Sequence, residues 1–202
     1  MGAAMNTSLR FERLIGGDIA RRSDALAELR MAVFREWPYL YDGDRDYERY
    51  YLQYYIDAPR ALAVVVLDSE RPVGATTALP LDDEAAAMQA PFIDAGFDPA
   101  RVFYNAESVL LPGYRGRGLY RSFFDAREDH ARQLGGFDWI THCAVQRPAD
   151  HPARPADYTP LDDVWRHFGY TPRPDLVTTY PWRDIGDAAV TDKPLMFWLK
   201  AL

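Results

Sequence analysis

The chain has 202 residues, of which 48% are hydrophobic and 14% aromatic, so it can bury a core and is not intrinsically disordered. Its 30 acidic and 23 basic residues give a net charge of −7, which argues against a nucleic-acid partner. The length corresponds to a single domain over residues 1–202, and the lone cysteine, Cys143, excludes an internal disulfide and fits a reducing compartment.

The first quarter of the chain predicts one strand followed by two helices. Residues 9–15 form the strand, and two glycines then lead to Asp18, a candidate N-cap. Apolar residues recur at helical spacing over 19–37, and Pro38 ends that helix. A second helix, at about 44–56, contains an unusual number of tyrosines.

The rest of the chain predicts strands that alternate with helices and are joined by short connections. These elements are strands at 61–67 and 72–79, a short helix at 82–90, a strand at 102–111, a helix at 119–134, a strand at 137–145, a helix with a capping box at Thr159 that Gly169 closes, and strands at 176–182 and 193–199. Helices between strands favour parallel pairing and short connections favour antiparallel pairing, so the sequence predicts a mixed α/β sheet.

No segment predicts a membrane or secretory protein. The longest wholly apolar run is seven residues long, at 61–67, whereas a bilayer-spanning helix needs about 20. Residues 1–14 lack the apolar core of a signal peptide. We therefore expect a cytoplasmic protein with no membrane partner.

The segment Arg115-Gly116-Arg117-Gly118 lies between a predicted strand and a predicted helix. The first N–H groups of a helix have no partner within it, and the helix dipole adds positive charge there. Glycines let the backbone approach an anion closely, so the segment predicts a phosphate or pyrophosphate site. The alternative is an ordinary strand-to-helix turn with exposed arginines. Neither the dinucleotide-binding fingerprint nor the Walker A pattern is present.

This segment resembles the signature of the GNAT superfamily of N-acetyltransferases, in which an apolar strand and Pro-x-Tyr precede Gln/Arg-x-x-Gly-x-Gly/Ala. Pro112, Tyr114, Arg115 and Gly118 match, whereas Tyr120 stands where Gly or Ala is usual. The order of the predicted elements matches as well, and VWRHFGY takes the place of the family's late helix that ends in Gly-Phe/Tyr.

The resemblance implies the GNAT fold, an α/β (α+β) domain whose mixed, mostly antiparallel sheet of about seven strands has a splayed central parallel pair and flanking helices. It implies acetyl-CoA as cosubstrate, with the pantetheine between strands 102–111 and 137–145 and the pyrophosphate on the amides of residues 116–120. The cofactor-binding residues that it implies are Leu110, Arg115, Gly116, Arg117, Gly118, Leu119, Tyr120 and Arg121.

Glu107 is the candidate general base, because a carboxylate within a mostly apolar strand is costly unless it is paired or functional. The alternative is an outward-facing, solvated glutamate. Relatives with a base on this strand place it an even number of residues before the Leu110 position, which corresponds to Tyr104 or Ala106. Glu107 is out of phase by one residue, and a β-bulge would restore the phase.

The candidate acid is Tyr158, because Trp165 stands where relatives often have a catalytic tyrosine. An ordinary loop tyrosine is the alternative, with water protonating the departing thiolate. His142, Cys143 and His151 suggest a cysteine hydrolase or a metal site, but no metal-ligand spacing is present and Cys143 is more typical of a packed strand residue. We therefore expect no metal.

The acceptor would bind near the first two helices, where the resemblance places the substrate-specific wall. Tyr39 and Tyr41 are candidate pocket residues, and His151 could line the same pocket from a proline-rich loop. Aromatic rings beside Asp42, Asp44, Asp46 and Glu48 would suit a cationic amine, although plain core packing is the alternative.

Taken together, the sequence predicts an N-acetyltransferase that moves an acetyl group from acetyl-CoA to a primary amine by direct attack in a ternary complex. The expected partner is a small-molecule amine, and dimerisation is common among the relatives. The alternative is a catalytically inactive acyl-CoA-binding sensor or regulatory module, which the absent tyrosine at 165 and the phase of Glu107 favour.

Overall fold

A computed structural model describes residues 9–202. The strands are β1 (Arg10–Ile15), β2 (Leu62–Asp68), β3 (Arg71–Pro80), β4 (Val102–Leu110), β5 (Trp139–Val145), β6 (Thr171–Trp182) and β7 (Thr191–Ala201). The helices are α1 (Ser23–Phe34), α2 (Arg45–Asp57), α3 (Ala86–Asp94), α4 (Leu119–Leu134) and α5 (Asp162–His167). Both the element order and the mixed sheet predicted from the sequence are confirmed.

The seven strands form one sheet in the order β1-β2-β3-β4-β5-β7-β6. Neighbouring strands are antiparallel except β4 and β5, which are parallel. The parallel pair is joined through three residue pairs, from Val102–Trp139 to Tyr104–Thr141. Beyond these pairs both strands continue without pairing to each other, so the sheet opens into the expected gap between them.

Apolar packing covers both faces of the sheet, which explains why β2 is buried along almost its whole length. Helices α1, α2 and α3 cover one face, on which Tyr55 and Phe92 are fully buried. Helices α4 and α5 pack on the other face around Phe103, Phe124 and Trp198. The gap between β4 and β5 therefore connects two separately packed layers.

The predicted helix starts near residues 18 and 159 are wrong. A 3-10 turn over Gly16–Arg22, which buries Ile19, precedes α1, so Asp18 caps no α-helix. Helix α5 begins at Asp162, and Leu161 occupies its N-cap position without a side-chain hydrogen bond. By contrast, Asp44 caps α2 by accepting hydrogen bonds from the N–H groups of Asp46 and Tyr47, both at 2.9 Å.

Within residues 9–202, no helix combines the length and apolar character that crossing a membrane requires. The expectation that the chain lacks a signal peptide rests largely on residues 1–8, which lie outside the described residues.

Candidate functional site

The loop before α4 presents a row of free backbone N–H groups. Gly118, immediately before the helix, has φ +77°, and Gly116 has φ +73°, a left-handed conformation that glycine adopts without steric cost. Around each glycine the space that a Cβ would fill is open. Within the described residues, none accepts a hydrogen bond from the N–H groups of residues 116–120. The loop therefore has the shape and the donors that an anion needs.

The arginines of this loop are used in different ways. Arg115 donates from Nε to the carbonyl oxygen of Leu110 at 3.0 Å and pairs with Glu36 at 2.8 Å. The resemblance implies that the backbone of Leu110 binds the pantetheine, but in this structure its carbonyl group is bound to Arg115. Arg121 points towards α5, where its guanidinium lies 5.3 Å from the ring centroid of Phe168.

Leu119 and Tyr120 anchor the start of α4. Leu119 is buried in the apolar cluster beside β3 and β4. The Tyr120 hydroxyl lies 3.5 Å from Nε1 of Trp165, and its ring packs on Phe124. Arg117 remains exposed, with its guanidinium 4.9 Å from the ring centroid of Tyr114. The side chains at 119 and 120 therefore fix the helix, and their N–H groups stay free.

Strand β4 contains a β-bulge next to Glu107. Thr77 of β3 pairs with Glu107 and Ala78 pairs with Asn105, so Ala106 is the extra residue. The bulge places Tyr104 and Glu107 on the same face of the sheet, towards α1 and α2. It lies before Glu107, however, and leaves the spacing from Glu107 to Leu110 unchanged, so Leu110 packs on the opposite face beside α4. The expected bulge therefore exists and brings Glu107 onto the face of Tyr104, one of the two positions expected for the base, while Leu110 lies on the opposite face.

Glu107 is held by a buried ion pair rather than facing solvent, which rules out the alternative of an exposed glutamate. Its Oε2 atom accepts hydrogen bonds from Arg30 of α1 and from the Tyr51 hydroxyl of α2, the latter at 3.0 Å. Its Oε1 atom is buried and has no partner among the described residues. One oxygen thus fixes the carboxylate, and the other is available to a ligand.

Arg30 is shared between two carboxylates. Besides Glu107, its Nε atom binds Glu48 at 2.5 Å, and the Glu48 side chain is 0% exposed. The guanidinium also lies 3.8 Å from the ring centroid of Tyr51. Burial lowers the pKa of Arg30, but the Glu107, Tyr51 and Glu48 charges outweigh it and raise the pKa well above its ordinary value. Arg30 therefore stays charged and fixes Glu107 in place.

Neither Arg30 nor Tyr51 was predicted from the sequence as a site residue. The signal for Arg30 was present, because it lies four residues from both Leu26 and Phe34 on the apolar stripe of α1, where a charged residue needs a buried partner. Tyr51 is one of the many tyrosines of α2, but its hydrogen bond to Glu107 depends on long-range packing. Tyr54, on the same helix, is exposed.

The acidic residues expected to steer a cation are already engaged. Asp42 pairs with Arg183 at 2.7 Å, Asp44 caps α2, and Glu48 binds Arg30. Asp46 is exposed at the start of α2, 3.1 Å from Arg49. These contacts account for the four carboxylates within the chain, and their steering of a cationic acceptor stays a prediction.

Where β4 and β5 part, Tyr104 and Cys143 meet on the α1/α2 face. The tyrosine hydroxyl lies 3.2 Å from the cysteine sulfur. Burial raises the pKa of the Cys143 thiol to about 12, with the hydrogen bond from Tyr104 acting in the opposite direction. The thiol is consequently protonated at neutral pH and is a poor nucleophile.

We expect Cys143→Ala to retain turnover within about threefold of the unmodified protein, because a protonated, packed thiol supplies no chemistry. Steady-state kinetics with the best acceptor measures this directly, and iodoacetamide labelling of the unmodified protein should be slow. Loss of all activity in the alanine variant would instead support the cysteine hydrolase alternative.

The loop after β5 folds over Trp37. The ring centroids of Trp37 and His151 lie 5.0 Å apart, and those of Trp37 and Tyr158 lie 5.9 Å apart. Burial, followed by the charge of Asp162, raises the pKa of Tyr158. Two candidate site residues from this loop thus lie together beside the segment that links α1 to α2.

Tyr39 packs between α1 and β6, with its ring centroid 4.5 Å from that of Phe34 and 6.0 Å from that of Trp182. Burial is the main cause that raises the pKa of Tyr39. The charges of nearby groups raise it further, which means that the Tyr39 hydroxyl is close enough to interact with them electrostatically; these groups are Cys143, Tyr120, Glu107 and Tyr158. Tyr41 is buried in a cluster with Trp182, and its hydroxyl has no partner among the described residues. Both tyrosines thus pack in or against the cluster that contains Trp182, and Tyr41 is the more deeply buried.

His142 lies one residue beyond the last β4–β5 pair and faces α4 and α5. Its side chain packs between aromatic rings and is only 7% exposed. Neither ring nitrogen has a hydrogen-bond partner within residues 9–202. Burial and the nearby Arg127 hold its pKa well below the ordinary value, so the ring is neutral. In the described part of the chain, no group of three His, Cys, Asp or Glu side chains is arranged to hold a metal ion.

The comparison of sequences identifies one family. A sequence model described as the acetyltransferase (GNAT) family matches residues 25–156, about two thirds of the chain. No curated protein matches the sequence.

The fold is similar to that of several solved acetyltransferases. The crystal structure of Arabidopsis thaliana NAA60 in complex with acetyl-CoA gives a TM-score of 0.62 at 10% identity, covering 96% of this chain and 99% of that chain. An acyl-CoA N-acyltransferase from Pseudomonas aeruginosa gives 0.61 at 15% identity, with 96% and 100% covered. The polyamine N-acetyltransferase of Drosophila melanogaster gives 0.59 at 12% identity, with 96% and 100% covered.

Proposed function

The chain belongs to the acetyltransferase (GNAT) family, and we propose that it transfers the acetyl group of acetyl-CoA to a primary amine by direct attack in a ternary complex. Bound acetyl-CoA would supply the activated acetyl group as a thioester. The observation that carries the proposal is the set of free N–H groups at residues 116–120, next to the gap between β4 and β5.

The residues present fit the cosubstrate. Free amides at the start of α4, together with the helix dipole, suit the pyrophosphate, and nothing obstructs the left-handed glycines at 116 and 118. The exposed Arg117 adds positive charge, and Arg121 lies one turn further along the helix. Beyond Tyr104, β4 is unpaired on the side that faces β5, and this edge would be open to the pantetheine, although the Leu110 carbonyl already accepts a hydrogen bond from Arg115.

Glu107 is the proposed general base. Its Oε2 atom is fixed by Arg30 and Tyr51, which limits the orientations that the carboxylate can adopt. Its free Oε1 atom can accept a proton from the attacking ammonium. Tyr39, within electrostatic reach of Glu107, would line the acceptor pocket, with Tyr41 buried beside α2 and His151 on the covering loop.

Tyr158 is the proposed acid for the departing thiolate, and we expect Tyr158→Phe to lower kcat less than tenfold. Water can protonate a thiolate, which is only moderately basic, so the hydroxyl is helpful rather than essential. Phenylalanine keeps the ring that packs on Trp37, so any change reports on the hydroxyl. The kcat of both proteins with one acceptor, measured from pH 6 to 9, checks this. A loss of 1,000-fold or more would make Tyr158 indispensable and contradict the prediction.

One assay separates the proposed enzyme from an acyl-CoA sensor. Release of the CoA thiol is followed with acetyl-CoA and a panel of primary amines, while acetyl-CoA binding is measured by calorimetry. The proposal expects binding together with amine-dependent thiol release. Tight binding without release from any amine would support the sensor, and absence of binding would overturn both readings.

A further inference from the structure

We propose that the amine acceptor is a dication and that Glu84 binds the positive charge remote from the reacting amine. The inference rests on the proposed function and names the substrate class of the same site. It starts from the charge balance of the side chains buried on the α1/α2 face of the sheet.

The buried charges on this face do not balance. Arg30 is the cation shared by Glu48 and Glu107, so two carboxylates face one guanidinium. Glu84, which follows β3, adds a third carboxylate. It is 8% exposed, and within residues 9–202 it has no ion-pair partner.

The other buried acidic side chains of the described residues do have cationic partners. Asp184 binds Arg147 at 2.7 Å and Lys193 at 3.4 Å. Glu128, on the α4 face, binds Lys200 at 2.7 Å. A buried carboxylate without a cationic partner is costly in its ionised form, so a cation from outside the chain that reached Glu84 would be bound favourably.

Glu84 lies near the start of β4, the strand that carries the proposed base. The 3-10 turn Leu81–Asp83 packs against β4, and the pairing of Pro80 with Phe103 puts the following residues beside the start of that strand, near Tyr104. Burial, followed by the charge of Glu107, raises the pKa of Glu84 to about 7. The hydrogen bond from the backbone N–H of Ala85 and the charge of Arg30 act in the opposite direction.

Aromatic side chains complete the surroundings. Burial is the main cause that raises the pKa of six groups on four elements, and the charge of Glu84 adds to each of these shifts. These groups are Tyr47, Tyr51 and Tyr55 of α2, Tyr104 of β4, Cys143 of β5 and Tyr180 of β6. Phenol rings beside a carboxylate attract an ammonium or a guanidinium through their π faces as well as through the charge.

The raised pKa of Glu84 determines how the binding of a dication changes with pH. Below about pH 7 the free site holds protonated, neutral Glu84. A bound cation favours the ionised carboxylate, so binding releases a proton and strengthens as the pH rises through about 7. A monoamine, which does not reach Glu84, lacks this dependence. The reacting amine titrates in both acceptors. The ratio of kcat/KM for the diamine to that for the monoamine therefore reports the titration of Glu84.

The test compares α,ω-diamines of two to five carbons with alkyl monoamines of the same length, using Glu84→Gln and the unmodified protein. We expect the best diamine to exceed its monoamine at least 30-fold in kcat/KM at pH 8. Glu84→Gln should reduce this ratio to below threefold, because it lowers kcat/KM for the diamine much more than for the monoamine. The control is Asp83→Asn, because Asp83 is adjacent but binds Arg60 nearer the surface, and it should keep the preference.

Calorimetry of diamine binding in two buffers of different ionisation enthalpy gives a readout that needs no turnover. Proton release that disappears in Glu84→Gln supports the cation site even if no acetyl transfer occurs, in which case the proposed function alone fails. An unmodified protein that binds monoamine and diamine equally, or a Glu84→Gln variant that loses both acceptors alike, overturns the site. Because the substitution removes an unpaired buried charge, its thermal midpoint should not fall.

Discussion

Gly118→Asp is expected to lower the affinity for CoA by about 100-fold or more while leaving the protein folded. The new carboxylate would lie among the free N–H groups proposed to hold the pyrophosphate. Two like charges about 4 Å apart repel by about 1 kcal/mol in bulk water and by about 4 kcal/mol near a protein surface, which weakens CoA binding. The strain of a non-glycine residue in the left-handed region, about 1–2 kcal/mol, instead lowers the stability of the fold. The space around the glycine is open, and Asp favours helix N-termini, so the fold should tolerate it.

Gly118→Asn is the matched control for this experiment. Asn has almost the same shape as Asp and adopts the left-handed conformation more readily than most residues, but it is neutral. CoA binding by calorimetry and the thermal midpoint of all three proteins separate the effects. Repulsion predicts that Asn binds within about tenfold of the unmodified protein. If the Asp variant binds CoA normally, the anion site is not at this loop.

Glu107→Gln is expected to lower kcat by about 100-fold or more and to leave the affinity for acetyl-CoA unchanged. A positioned base contributes about 10²–10⁴-fold in rate. Gln keeps the size of the side chain and an oxygen that can accept from Tyr51, but it takes no proton from the acceptor. Stopped-flow turnover and acetyl-CoA titration measure the two quantities separately.

Glu48→Gln controls for the ion pair that Glu107→Gln weakens. Both substitutions remove one carboxylate partner of Arg30, but Glu48 is fully buried on α2 and is not assigned a role in the reaction. If the chemistry requires Glu107, the Glu48 variant should lose stability without a comparable loss of kcat. An unchanged kcat across the pH range in Glu107→Gln would remove Glu107 from the mechanism.

Local patterns in the sequence predicted the fold well, and their failures have physical causes. The strand, glycine loop and helix around residue 118 depend on neighbouring residues, and α4 begins at Leu119 as expected. Asp18 has the right chemistry for a cap, but burial of Ile19 favours a 3-10 turn before α1. Strand 61–67 was evident because a strand buried on both faces is apolar throughout.

The candidate site was less predictable, because its contacts join residues far apart in the sequence. Arg30 and Glu107 are 77 residues apart, and no local pattern shows that they pair. The bulge at Ala106 changes which residues share a face, and its position follows from pairing with β3 rather than from the residues of β4. The sequence around Glu84 does not distinguish it from Asp82 and Asp83, because its burial without an ion-pair partner follows from packing.

The short contact between β4 and β5 has a mechanical consequence for the whole molecule. Hydrogen-bonded pairing divides the sheet into a four-stranded block and a three-stranded block, joined in the described structure by three residue pairs and flanked by the Arg101–Asp138 pair. A ligand bound in the gap between β4 and β5 would contact both blocks. Because such a ligand binds only the folded protein, its binding would raise the free energy of unfolding, by more for a tighter ligand.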